Sequence, residues 1–166
     1  MLKLLGSILI IASCTGIGLN KGREMQEHLK ALEEVKRIMY LIRSELQYTH
    51  APFAEVFEKM ERKTTPPFQV WLQQLARRLN KKEISSFEEM WCASISEDLK
   101  GSRLGDEELE ELKRIGKNLE YTESMNLYIE QLEYKIKQTR ETYRTKRKLC
   151  QSMGIMGGIF LVILLL

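Results

Sequence analysis

Charge is missing from both ends of this chain and dense everywhere between them. From Leu4 to Asn20 no acidic or basic side chain occurs, and from Leu149 to Leu166 there is again none. A helix rises ~1.5 Å per residue, so each run would extend about 26 Å, close to the ~30 Å hydrocarbon thickness of a bilayer. A chain built this way is expected to place one transmembrane helix at each end, residues 1–20 and 149–166. A single polar domain, residues 21–148, is then held between them. Such geometry speaks against a freely diffusing enzyme and for a component of a membrane-bound assembly.

The middle segment has the length of one ordinary domain. It holds all 26 Lys and Arg except Lys3, against 23 Asp and Glu. So even a balance argues against generic nucleic-acid binding, which needs a basic excess. Three cysteines, Cys14, Cys92 and Cys150, cannot all pair within the chain, and no disulfide framework is legible, as expected of a reducing compartment. Three prolines and 10 glycines, several of them inside the apolar runs, leave little room for a turn-rich β fold.

Positive charge beside a membrane span tends to stay cytoplasmic. Lys21 and Arg23 follow the first run, and Arg144, Lys146, Arg147 and Lys148 precede the second. Both junctions therefore predict a cytoplasmic domain, with these six side chains at the membrane surface. Each would be worth about 1 kcal/mol against anionic headgroups. Small residues four apart, Ala12 with Gly16 and Gly154 with Gly158, have the spacing that lets membrane helices approach closely. A rival reading starts from Ile11-Ala12-Ser13-Cys14, which follows a short basic start as in a bacterial lipoprotein signal. It would lipidate Cys14 and make the domain a lipid-anchored extracytoplasmic helical binding module without an ATPase partner. Against it, the apolar run continues through Thr15-Gly16-Ile17-Gly18-Leu19, and the basic junctions oppose export.

Within the middle segment the apolar spacing is helical. Met25, Leu29, Leu32, Val35, Met39, Ile42 and Leu46 recur at steps of three and four, with charges on the other face. Pro52 suits the first turn of a second helix carrying Phe53, Val56, Phe57 and Met60, which ends near Thr64-Thr65. Pro66-Pro67 precede a third with Phe68, Val70, Trp71, Leu72, Leu75 and Leu79. Ser85 or Ser86, each with Glu three positions on, forms a capping box for a fourth with Phe87, Met90, Trp91 and Ile95. Asp106, Glu107 and Glu108 begin a fifth, where carboxylates oppose the positive end of the helix dipole. A last helix starts near Thr122, presents Met125, Ile129, Leu132, Ile136 and Tyr143, and runs without a breaker into the second apolar segment. The expected fold is all-α: an antiparallel bundle of about six helices flanked by the two transmembrane helices.

Catalytic chemistry has little to stand on. His28 and His50 have no Cys or carboxylate at metal-ligand spacing, and the one glycine-rich stretch, Gly154 to Gly158, is apolar and no phosphate loop. Serines and Cys92 have no base nearby in sequence. Glu107-Glu108 and Glu110-Glu111 read most simply as a helix start and a solvated face, and Trp71 and Trp91 as core. The basic stretch from Lys137 to Lys148 has only Tyr143 as an aromatic, so it reads as a membrane flank rather than a nucleic-acid site. No catalytic residue, cofactor, metal, nucleic acid or small-molecule substrate is expected.

Several segments together resemble the stage III sporulation protein AB family of endospore-forming bacteria. They are the opening Met1-Leu2-Lys3-Leu4-Leu5-Gly6, the block Glu45 to Phe53 with Tyr48 and Pro52, Trp91 on the fourth helix, and the tail from Met153-Gly154 to Leu166. The resemblance covers the whole chain. It implies a non-catalytic mother-cell membrane protein of the channel complex joining mother cell and forespore. The middle domain would be similar to the cytoplasmic helical domain of the type II secretion platform protein F. Expected partners are a sporulation ATPase, the stage III protein AA, and other membrane channel subunits. Where the family carries Gly-Glu between the third and fourth helices this chain has Lys82-Glu83, and the later family block reads Gly116 to Asn126, with Glu120 replacing Gly and Glu123 replacing Asp. Lys82, Glu83, Gly116, Glu120, Glu123 and Asn126 are accordingly the expected partner-facing residues.

Overall fold

A computed structural model describes the backbone of residues 2–48, 52–81, 86–117, 119 and 122–165, and the side chains of residues 22–48, 52–81, 86–117, 119 and 123–146. Six α-helices follow one another: α1 (Leu2–Tyr48), α2 (Phe53–Glu61), α3 (Phe68–Lys81), α4 (Phe87–Asp98), α5 (Asp106–Gly116) and α6 (Thr122–Leu165). No strand occurs among the described residues.

Two compact units divide the chain. One consists of Met1–Leu29 with Lys137–Leu166, the other of Lys30–Ile136. In the first, helical backbone passes unbroken through both apolar runs, as the absence of proline there predicts. The side chains of residues 1–21 and 147–166 lie outside the described set, and with them the two expected spans and the small-residue pairs Ala12/Gly16 and Gly154/Gly158. Among the described residues no helix is long and apolar enough to cross a membrane.

The second unit is a helical bundle in which each helix meets its neighbours in chain order. Lys59 of α2 lies 3.8 Å from Glu45 of α1. Helix α3 packs on α2 and on α4, and α4 packs on α5. Lys135 of α6 lies 3.3 Å from Glu108 of α5, and Lys36 of α1 lies 3.6 Å from Glu133 of α6. The circuit thus closes from α6 back to α1.

Its interior follows the apolar spacing. Leu32, Val35, Met39 and Ile42 of α1 and Met125, Ile129, Leu132 and Ile136 of α6 are buried. So are Ile38 and Tyr128, which a strict three-and-four reading omits. The centre is aromatic. Trp71 and Trp91 meet edge to face with centroids 5.1 Å apart, and Phe53 stacks on Phe87 at 4.8 Å. Both indole N–H groups are satisfied despite complete burial. Trp71 Nε1 donates to Ser94 Oγ at 3.0 Å, and Trp91 Nε1 donates to the Leu112 carbonyl at 2.9 Å.

Helix ends are explained locally. Ser86 caps α4, its hydroxyl accepting from the Glu89 N–H at 3.2 Å. Pro52 stands at the N-cap of α2, one position ahead of the first turn. Helix α2 stops at Glu61 because the next N–H groups tighten to three-residue turns, Lys63 to the Met60 carbonyl at 2.9 Å and Thr64 to that of Glu61 at 3.3 Å. The buried Thr64 hydroxyl then donates to the Met60 carbonyl at 2.7 Å.

Two sequence expectations need correction. Val70, read with the inner stripe of α3, is 47% exposed, because the burial stripe runs through Phe68, Trp71, Leu72 and Leu75 instead. Glu108, read as part of a solvated acidic helix start, is only 7% exposed. Its carboxylate accepts from the Gly105 N–H and faces Lys135, so hydrogen bonding and an ion pair offset its burial.

At the α3–α4 seam Arg78 Nη2 lies 2.6 Å from Glu97 and 3.8 Å from Asp98. Asp98 Oδ2 is buried without a hydrogen-bond partner among the described residues. Burial raises its carboxyl above the ordinary 3.8, Arg78 opposes this, and Glu97 adds to it. A folded-state value above the unfolded one means that the stabilising proton is fully bound below pH 3.8. That contribution is lost as pH rises through the elevated value. Asp98→Asn should remove this slope from the pH–stability curve and raise stability at pH 7 by no more than about 1 kcal/mol, measured by urea unfolding across pH 3–7.

Candidate functional site

The residues expected to face a partner fall near the ends of α4, α5 and α6, and their placements differ sharply. Gly116 is buried beneath Trp91: a Cβ built there would lie 2.6 Å from Trp91 Cγ and 2.7 Å from its Nε1. Glycine is therefore required by the indole, since any side chain would push the ring off the Leu112 carbonyl. Asn126 is half-buried, its Oδ1 accepting from Arg43 Nη1 at 2.7 Å and tying α6 to α1. Arg43 also lies over the Tyr40 ring, 4.8 Å from its centroid. Glu123 is exposed. Lys82, Glu83 and Glu120 lie outside the described residues.

One ion pair joins described residues that flank the candidate positions in sequence. Lys117, just past α5, lies 2.8 Å from Glu88 in the first turn of α4. The hydrogen bond and charge of Glu88 raise the Lys117 pKa above 10.5, so the ammonium stays charged. The residue following the 82–85 stretch, Ser86, and the residue preceding position 118 thus border the same corner of the bundle.

Sequence periodicity missed a second feature. Leu127 is 58% exposed and Tyr134 67% exposed. With Glu123 and Glu130, also exposed, they recur at steps of four, three and four along α6. This is one helix face, opposite the Met125–Ile129–Leu132–Ile136 stripe. The signal was present, since Leu127 and Tyr134 fall off the buried stripe, yet spacing alone gives no reason to read an off-register leucine as surface.

Two side chains able to do chemistry, Cys92 and Tyr128, are held by their surroundings. Burial raises the Cys92 thiol above 9.0, Glu88 adds to this, and the thiol faces the Lys113 carbonyl at 3.9 Å. Little thiolate is therefore available at neutral pH. Tyr128 is buried, and burial together with the carboxylates of Glu111 and Glu108 raises its phenol far above 10.0. Among the described residues no group of three or more His, Cys, Asp or Glu side chains could hold a metal ion. Of the expected membrane-surface residues, Arg23, Arg144 and Lys146 are exposed, while Lys21, Arg147 and Lys148 have no described side chain.

Comparison with known proteins bears on the same features. The family model for stage III sporulation protein AB matches residues 3–166. A solved structure described as stage III sporulation protein AB is similar at TM-score 0.65 and 17% identity, over 71% of this chain and 97% of that one. At that identity it speaks to the fold. No curated protein sequence matches the chain.

Proposed function

The chain belongs to the stage III sporulation protein AB family, and from that premise we propose that it is a non-catalytic, membrane-anchored platform subunit of the complex joining mother cell and forespore. Its helical domain, similar to that of the type II secretion platform protein F, faces the cytoplasm of the mother cell. There it docks a sporulation ATPase of the stage III protein AA kind and contacts neighbouring channel subunits. Residues 1–20 and 149–166 hold it in the membrane, with Lys21, Arg23, Arg144, Lys146, Arg147 and Lys148 against the headgroups. Ala12, Gly16, Gly154 and Gly158 offer close approach for other membrane helices.

The observation that carries the docking reading is the Lys117–Glu88 pair, which brings the borders of both candidate stretches to one corner. Exposed Glu123 lies within the second stretch, one residue inside the start of α6. Buried Gly116 supports the packing of α4 on α5 beside that pair, Asn126 ties α6 to α1, and Lys82, Glu83, Glu120 and Glu123 are the proposed contact residues. Glu83→Lys and Glu123→Lys in the full-length chain are each expected to weaken capture of the ATPase about tenfold while leaving the helical circular-dichroism signal intact, because reversed charge at an interface meets like charge. Unchanged capture by both variants would withdraw the corner from the proposal.

A further inference from the structure

The outer face of α6 is acidic along its length and apolar at its centre. From Thr122 to Tyr134 the helix carries three carboxylates, Glu123, Glu130 and Glu133, and no basic side chain. Residues 106–136, which include all of α5, hold nine Asp and Glu against four Lys and Arg, although the whole chain carries +3. Cations do approach this face, but they are engaged at its two seams. Lys135 turns to Glu107, Glu108 and Glu111 of α5. Lys36 of α1 lies 3.6 Å from Glu133, and the Tyr40 hydroxyl donates to the same carboxylate at 3.1 Å. Arg43 lies over the Tyr40 ring and donates to Asn126. Even with exposed Arg114 of α5 included, six carboxylates stand against four cations. The surplus is Glu123 and Glu130, neither of which has an ion-pair partner among the described residues.

Leu127, 58% exposed, lies between these two carboxylates on one stripe, and Tyr134, 67% exposed, follows Glu130. Steps of four, three and four residues are those of a seam between two packed helices. Glu123 and Glu130 are two turns apart, about 10 Å along the axis. Covering Leu127 and Tyr134 removes apolar surface from water, but it also desolvates the carboxylates beside them unless the cover brings positive charge. We infer that this face receives a basic amphipathic helix of another protein. Two Lys or Arg side chains seven residues apart on that helix meet Glu123 and Glu130, and an apolar side chain between them covers Leu127. A cation can also stack on the Tyr134 ring. The same charges turn away other occupants. Anionic headgroups and nucleic acid are repelled, and a second copy presenting this face would bring four unpaired carboxylates into one contact. The inference stands apart from the ATPase reading, with which it shares only Glu123, and its test leaves Glu123 unaltered.

The test uses the full-length chain in non-ionic detergent and two labelled helical peptides of about three heptads, read by fluorescence anisotropy. One carries Lys and Leu at alternating seam positions, and the other has Glu in place of each Lys. The lysine peptide should bind the parent chain, and Glu130→Lys should weaken binding at least about tenfold, because like charges then meet across the contact. Leu127→Ser should weaken it about tenfold as well, since the apolar seam is lost. Both side chains are exposed, so unfolding midpoints should stay put. The decisive arm is the glutamate peptide, which should bind Glu130→Lys more tightly than the parent at equal detergent, a reversal that uptake into micelles cannot produce. Failure of the lysine peptide to bind the parent overturns the inference, as does equal binding by parent and variants. A scrambled lysine peptide that binds as well as the ordered one overturns it too, since charge alone then suffices. Self-association of the parent that Glu130→Lys abolishes overturns it by giving the face to a second copy.

Discussion

Trp91→Ala is expected to destabilise the bundle by about 5 kcal/mol, enough to unfold a domain of ordinary stability at room temperature. The indole is fully buried and meets groups on four helices: Phe57 of α2 at 6.2 Å between centroids, Trp71 of α3 at 5.1 Å, Phe87 of its own helix at 5.9 Å, and the Leu112 carbonyl of α5. Truncation leaves a large cavity, which costs about 3–5 kcal/mol for tryptophan. It also strands the Leu112 carbonyl without its donor, a further ~1–3 kcal/mol where the group stays dry. Gly116, the residue beneath, has no side chain to move into the space. Urea unfolding followed by the emission of Trp71 measures the loss. Trp91→Phe should cost clearly less, since the ring returns but the hydrogen bond does not. An unshifted midpoint in Trp91→Ala would show that the bundle does not depend on this ring.

Lys135→Met should cost about 2 kcal/mol, the largest effect expected of any charged side chain in the domain. The ammonium lies 3.3 Å from Glu108, 3.7 Å from Glu111 and 3.8 Å from Glu107. Breaking a buried pair from one side costs about 3–5 kcal/mol, and the figure is reduced because a quarter of the lysine side chain remains exposed. What is left behind is a carboxylate in the protein interior with two others beside it. Burial alone would lower the Lys135 pKa, but the carboxylates of Glu108, Glu111 and Glu107 outweigh it and hold it above 10.5. A folded value above the unfolded one makes this contribution fully present below pH 10.5 and lost as pH rises through the elevated value. The variant should therefore lose stability at neutral pH and show a flatter alkaline limb, both read from urea midpoints across pH 6–11. Adding Glu108→Gln should recover most of the loss, because removing both partners leaves no buried charge to solvate.

Much of the architecture was legible beforehand because it rests on local rules. Helical spacing, the Ser86 cap, the Pro66-Pro67 interruption and the acidic start of α5 each act within a few residues, and the six helices lie close to where these place them, although α2 ends at Glu61, short of the expected Thr64-Thr65. What spacing could not separate were residues of one chemical type with different surroundings. Val70 and Leu72 are both apolar residues on α3, yet only Leu72 is buried. Glu107 and Glu108 are adjacent carboxylates at one helix start, and only Glu108 turns inward to Lys135. Gly116 could be singled out from a family block but not given its reason, because Trp91 approaches it from another helix.

Taken alone, the amino-acid order settled that this chain is all-helical and roughly where each helix starts and stops, and the uncharged runs at its ends are the ground for proposing a membrane anchor. Those properties depend on neighbours three or four positions away along one helix. Tertiary packing decided which carboxylate is inside, why position 116 has no side chain, and which faces of α3 and α6 are left without a neighbour. Each of these depends on groups distant in sequence that meet only once the helices pack, and no periodicity along a single helix encodes which helix will arrive.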